Sequence, residues 1–178
     1  WHDCQPPGLV FVSATHVGPA EAAADVARAE PLLAPLTRKI VRTGGPGSGN
    51  LVKLANNLLC AANLALVGEA LALADAAGVA PEALLGALNE GSGRSAVSEV
   101  NLPRWVLSGT YDSGFTMGLM RKDVRLAREV AATLVAGGQL WGAVAAAWKA
   151  STETLADGED FNRMVDFARQ GANQGAHP

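Results

Sequence analysis

The chain has 178 residues, 49% of them hydrophobic and 17% charged, which is enough apolar surface for a core and excludes disordered and collagen-like classes. The net charge of −3 and a pI near 5.6 leave no basic field for nucleic acid. Aromatic residues make up only 5% and Ala about a fifth, a balance that favours helix over sheet.

Residues 1–8 are Pro-rich and irregular. Leu9 to Ala14 is a short run of β-type residues, expected as a buried strand. Residues 19–30 read as a helix with Pro19 in its first turn, kinked or ended by Pro31 and Pro35. Lys39 to Arg42 is a second strand. Together these form one βαβ unit, parallel and right-handed by the usual rule. Two strands alone do not make a stable sheet, so the expectation is the tail of a larger α/β domain, and the start at Trp1 points the same way.

Everything after Gly49 has a helical pattern. Ser48 to Ala77 contains no Pro and reads as one helix about 45 Å long, enough to cross a globule whose radius of gyration is about 16 Å. Its apolar stretch from Leu58 to Val67 is interrupted by Asn63, which argues against a membrane span. Gly78 ends this helix. Shorter helices follow at Pro81–Glu90, at Ser95–Leu107 with a break at Pro103, and at Met117–Val135, Leu140–Ala156 and Asp160–Gln170, with a frayed tail from Gly171. No secretory signal is visible, and a cytoplasmic location is the default.

The sharpest local feature is Gly44-Gly45-Pro46-Gly47-Ser48-Gly49-Asn50, between a strand and a helix. It fails as a Walker loop, because Asn50 and Leu51 stand where Lys and Ser/Thr are required. It also fails as a dinucleotide fingerprint, because its glycine spacing is wrong and no strand follows. A hinge that packs closely is the favoured reading over anion binding at a helix start.

Lys53 and Asn57 lie four apart, on one face of the long helix a turn beyond that loop, with Asn50 beside them. One Lys among several Asn fits a solvated face and a cleft-lining stripe equally well. In a cleft, a partly desolvated lysine can take a proton from an alcohol and return it to a carbonyl. Asn57 could hold the oxygen or orient the amine. Further on, Arg121, Arg125 and Arg128 share one face near Lys122 and Asp123. A solvated basic face is favoured there over a cation reaching an anionic ligand. His2, His16 and His177 form no cluster, and Cys4 and Cys60 are far apart, so no metal site or disulfide framework is expected.

These residues resemble a known family. Gly44 to Gly49 followed by Lys53-Leu54-Ala55-Asn56-Asn57 is similar to the loop and catalytic helix of the β-hydroxyacid dehydrogenases, among them 3-hydroxyisobutyrate dehydrogenase and tartronate semialdehyde reductase. Ser95, Gly114-Phe115, Lys122-Asp123 and the Gly158-Glu159-Asp160 turn fall where that family carries matching motifs, and the similarity covers about residues 9–170.

The resemblance implies a fold that is mainly α. Residues 1–43 are the last βαβ unit of a Rossmann domain binding NAD or NADP, and 44–178 form an all-helical substrate and dimerisation domain with a long central helix. The cleft between the family's two domains holds the substrate. The resemblance implies that Lys53 is the catalytic acid/base, with Asn57, Gly47 and Ser48 at a small 3-hydroxy acid or its semialdehyde. It implies that Lys122 and Phe115 face the cofactor, and that the partner is a second copy in a homodimer or homotetramer, not nucleic acid or membrane. Imine reductases usually replace the lysine, so Lys53 argues against that branch, and 6-phosphogluconate dehydrogenases carry His-Asn where this chain has Asn56-Asn57. The first glycine fingerprint of the family is absent, and Trp1 to Gly8 does not match its Ser-Gly-Gly substrate loop. These 178 residues alone are therefore expected to show negligible turnover. The competing expectation is a non-enzymatic helical module that self-associates through its long helix.

Overall fold

A computed structural model describes residues 9–12, 19–37, 39–135 and 138–174. The chain divides into two compact units, Trp1–Asn57 and Leu58–Pro178.

In the first unit β1 (Leu9–Val12) and β2 (Lys39–Arg42) pair in parallel, Leu9 opposite Lys39 and Val12 opposite Arg42. The crossover between them is α1 (Pro19–Leu33) and a 3-10 turn at Ala34–Leu36. Pro31 lies inside α1 rather than ending it, and the helix closes two residues later. Arg42 on β2 donates to Glu30 on α1 at 2.8 Å, fastening the crossover to the strand it feeds. The expected strand residues Ser13 and Ala14 and the irregular start at 1–8 lie outside the described residues.

The long helix α2 runs Ser48–Ala76, 29 residues or about 44 Å. Gly78, at φ 69°, closes it with paired bonds, from its own N–H to Asp75 O (3.1 Å) and from Val79 N–H to Ala74 O (2.8 Å). This double cap satisfies carbonyls that the helix end would otherwise leave open. By length and composition alone α2 could cross a membrane, which the interruption at Asn63 does not prevent, but most of that stretch is buried within the protein.

The second unit wraps helices around α2. These are α3 (Pro81–Glu90), a π-helical segment (Val97–Val106), α4 (Met117–Leu134), α5 (Gln139–Ala150) and α6 (Met164–Gln174). Leu64, Leu71, Met117, Met120, Trp148, Phe161, Met164 and Val165 are its fully buried centre. At Gly68 a Cβ would stand 2.5 Å from Val165 O and 2.8 Å from Ala168 Cβ, so α6 crosses α2 at a distance only glycine permits. Trp148 Nε1 donates to Ala61 O at 3.1 Å and ties α5 to α2. Arg169 on α6 forms two bonds of 2.6 Å to Asp75.

Pro103 does not break its helix; the segment widens to π spacing and carries the proline inside it. In that spacing the missing proline N–H would have served the carbonyl of Ser98. Asn89 Nδ2 donates to that carbonyl instead, at 3.3 Å.

Candidate functional site

The expected site residues fall in both units. Gly47, Ser48, Lys53 and Asn57 are in the first, and Phe115 and Lys122 are in the second.

The glycine loop turns because two of its residues sit in the left-handed region, Gly44 at φ 122° and Gly47 at φ 83°. Ser48 opens α2, its N–H donating to Gly45 O at 3.1 Å, and its hydroxyl lies 2.9 Å from that of Thr43. That contact latches the end of the β2 segment to the helix start. Leu51 N–H donates to Gly47 O at 3.1 Å, so the turn passes into the helix without an open carbonyl at Gly47.

On α2, Lys53 is half-buried, and Asn57 is 3% exposed. The neighbouring Asn56 Nδ2 donates to Asn57 Oδ1, at 3.4 Å. A buried amide is tolerated only when its polar atoms are matched, and burial of Asn57 removes the fully solvated reading of this stripe. Asn50 at the start of the stripe is exposed.

In the second unit, Phe115 is buried at 7% exposure, with its ring edge-on to Phe161 at 5.2 Å between centroids. Thr116 caps α4, accepting from Leu119 N–H at 3.3 Å. Lys122 stands near the first turn of α4. Its side chain is about half exposed, 3.7 Å from the carboxylate of Asp123, which is itself buried. Lys122 opens onto a groove of about 440 Å³ between α4 and α5, together with Arg121, Arg125, Arg128 and Lys149. Arg121 is committed to the fold, bonding Ser151 Oγ, Leu155 O and Asp157. Arg125 pairs with Glu129 at 2.8 Å. The basic face read as solvated therefore borders a concavity. Ser95, matched to the family's serine, exchanges bonds with Ser98 at the entry to the π-helical segment.

Sequence reasoning missed the polar network beneath Phe115. Asp160 accepts from the N–H and hydroxyl of Ser113 at 2.7 and 2.5 Å. It also accepts from the N–H and side-chain amide of Asn162 at 2.9 and 2.8 Å. Buried Asn101 donates to Asn162 Oδ1 at 2.8 Å. Tyr111, at φ 45°, donates its hydroxyl to Asp166 at 2.6 Å and lies under the Arg163 guanidinium at 3.7 Å. Burial, and then the Asp166 bond, push this phenol well above its ordinary range. The Gly158-Glu159-Asp160 turn was the only signal for this network, since Ser113 lies 47 positions before Asp160.

Among the described residues no group of three or more His, Cys, Asp or Glu could hold a metal ion. His2, His16, His177 and Cys4 lie outside the described residues.

Residues 47–168 match a family model described as NAD-binding of NADP-dependent 3-hydroxyisobutyrate dehydrogenase. The 2-(hydroxymethyl)glutarate dehydrogenase of Eubacterium barkeri is 36% identical over 113 residues, 64% of this chain and 37% of that protein. The 2-hydroxy-3-oxopropionate reductase of Escherichia coli K12 is 36% identical over 107 residues, 60% of this chain and 36% of that one. Among solved structures, the 3-hydroxyisobutyrate dehydrogenase of Mycobacterium tuberculosis with L-serine superposes at a TM-score of 0.74 and 26% identity, covering 82% of this chain and 52% of that one. A 3-hydroxyisobutyrate dehydrogenase from Salmonella typhimurium shares the fold at a TM-score of 0.72 and 23% identity, covering 86% of this chain and 52% of that one. The aligned stretch thus spans little more than a third of these curated relatives and about half of the matched structures.

Proposed function

Because the chain belongs to the family of the NAD-binding domain of NADP-dependent 3-hydroxyisobutyrate dehydrogenase, we propose that it supplies the acid/base helix of an NAD- or NADP-dependent β-hydroxyacid dehydrogenase. Its substrate is a small 3-hydroxy acid, oxidised reversibly to the semialdehyde. The observation that carries this reading is the pairing of half-buried Lys53 with buried Asn57 one turn apart on α2, directly behind the Gly44–Gly47 turn.

Oxidising an alcohol requires removal of the hydroxyl proton as hydride leaves the carbon. Lys53, in its neutral form, takes that proton at Nζ; in the reverse direction the ammonium returns it to the carbonyl oxygen. Asn57 holds the same oxygen or orients the amine, its burial fixing the side chain. Gly47 and Ser48 bring backbone close to the substrate at the helix start. Phe115 supplies an apolar wall and Lys122 a cation, and a half-exposed lysine in a groove with further arginines suits an anionic dinucleotide. NAD or NADP, when bound, provides the hydride acceptor.

Self-association belongs to the same reading. Leu59, Leu66 and Leu73 recur every seven residues on α2 and remain 65%, 60% and 73% exposed. Leu66 stands midway, so a two-fold axis through it sets Leu59 of one copy against the second copy's Leu73. The stripe is thus self-complementary, and we assign it to a homodimer contact that can build further into a tetramer. Taken alone, the same stripe is what favours the alternative of a helical association module without chemistry.

The test is turnover. The protein is expressed with any sequence its gene encodes before Trp1, then supplied with NAD or NADP and a panel of small 3-hydroxy acids while reduced-nicotinamide absorbance is followed. Cofactor-dependent oxidation of at least one 3-hydroxy acid supports the proposal. No oxidation of any of them with either cofactor, from a folded protein, overturns it in favour of the association module.

A further inference from the structure

The loop before α4 is an awkward piece of backbone. Gly109, Tyr111 and Gly114 all have positive φ, at 74°, 45° and 84°, and for tyrosine that conformation is strained. Such a loop keeps its shape only when neighbours over-determine it. Most of the restraint converges on one carboxylate. Asp160 Oδ2 accepts both the N–H and the hydroxyl of Ser113, while Oδ1 accepts both the N–H and the amide of Asn162. Ser113 Oγ in turn accepts from Phe115 N–H at 3.3 Å.

The turn around Asp160 also grips the backbone that follows. Phe161 N–H donates to Phe115 O at 3.0 Å, Met117 N–H to Glu159 O at 2.8 Å, and Gly118 N–H to Asp157 O at 3.0 Å. The first amides of α4, which a helix leaves without internal partners, are therefore satisfied by residues 157–159. The Phe115 backbone and the first turn of α4, which precedes the turn bearing Lys122, are therefore held by this turn.

We propose that Asp160 is a positioning residue for the cofactor-facing edge, acting through Ser113 and Phe161 to fix Phe115 and the aim of Lys122. The proposal rests on the reading of Phe115 and Lys122 as cofactor-facing. A charged carboxylate is suited to the role because it accepts on both oxygens at once. In Asp160→Asn one oxygen becomes an NH2 group, which sets a donor against the donors of either Ser113 or Asn162.

The experiment compares Asp160→Asn and Ser113→Ala with Arg169→Ala. The last loosens the same unit at its bonds to Asp75, which involve neither Asp160 nor Ser113. Amide hydrogen exchange is followed across residues 113–119, and KM for the cofactor and kcat are measured on the protein expressed with everything its gene encodes. The expected result is exchange at those amides about tenfold faster or more in Asp160→Asn, a smaller rise in Ser113→Ala, and none in Arg169→Ala. A rise in cofactor KM with kcat little changed is expected alongside. Equal exchange in Asp160→Asn and Arg169→Ala, or an unmoved cofactor KM, overturns the proposal. Lys122→Ala separates the two layers. If it leaves cofactor KM unchanged, the reading of Lys122 falls, whereas a KM that rises in Lys122→Ala but not in Asp160→Asn refutes the positioning role alone.

Discussion

Tyr111 is the one tyrosine of the chain, so its ionisation can be read without ambiguity. Burial and its bond to Asp166 raise its pKa above the ordinary value near 10. The folded state therefore holds the proton that the unfolded state loses first. This part of the stability is full below about pH 10 and declines as pH rises toward the folded pKa. Alkaline titration of the native protein should show tyrosinate absorbance appearing only well above pH 10, together with unfolding. Tyrosinate formation near pH 10 in a protein that stays folded would contradict the placement of Tyr111. The shared helix face of Lys53 and Asn57 was legible in the sequence because four-residue spacing on a helix fixes it before any tertiary contact exists. The Asp160–Ser113 link was not, because nothing local joins residues so far apart and both are common turn formers. Asp75 shows the opposite sign. Its bond to Arg169 holds the carboxyl below its usual range, so the stability it lends is present above the unfolded pKa and is lost as pH falls through the folded one.

At the scale of elements, α2 and its crossing with α6 decide the second unit. Gly68→Ala places a methyl group against the backbone oxygen of Val165, which cannot swing aside as a side chain would. Overpacking of this kind is expected to destabilise by about 1–3 kcal/mol. Urea unfolding should show a lower midpoint with little change in slope; an unchanged midpoint would mean that α6 does not approach α2 this closely. The β1–α1–β2 crossover and the bounds of α2 were readable because β-branched runs, Pro19 and Gly78 punctuate them. The π-helical segment was not. A proline ordinarily ends a helix, and here its effect is offset by Asn89, which lies nine residues before the carbonyl it serves. The closing turns of α5 and the opening of α6 likewise became 3-10 at Ser151–Glu153 and Phe161–Arg163, under the local bonds of Ser151 and Asp160.

For the molecule as a whole, the boundary at Gly44 that the resemblance implies and the division into units after Asn57 differ in place, and α2, which begins at Ser48, is continuous across the second. Its first turns bear Lys53 and Asn57, and its later turns bear the leucine stripe. If that stripe joins two copies, Leu66→Asp should convert a dimer to a monomer in sedimentation without loss of helical signal; an unaltered sedimentation coefficient would remove α2 from the interface. Proton transfer by a single amine can be tested apart from assembly. The decisive measurement is kcat for Lys53→Ala in the protein expressed with everything its gene encodes, on the 3-hydroxy acid it turns over. The account predicts a fall of about a hundredfold to ten-thousandfold with fold and oligomer intact, and a variant that keeps wild-type kcat would contradict it.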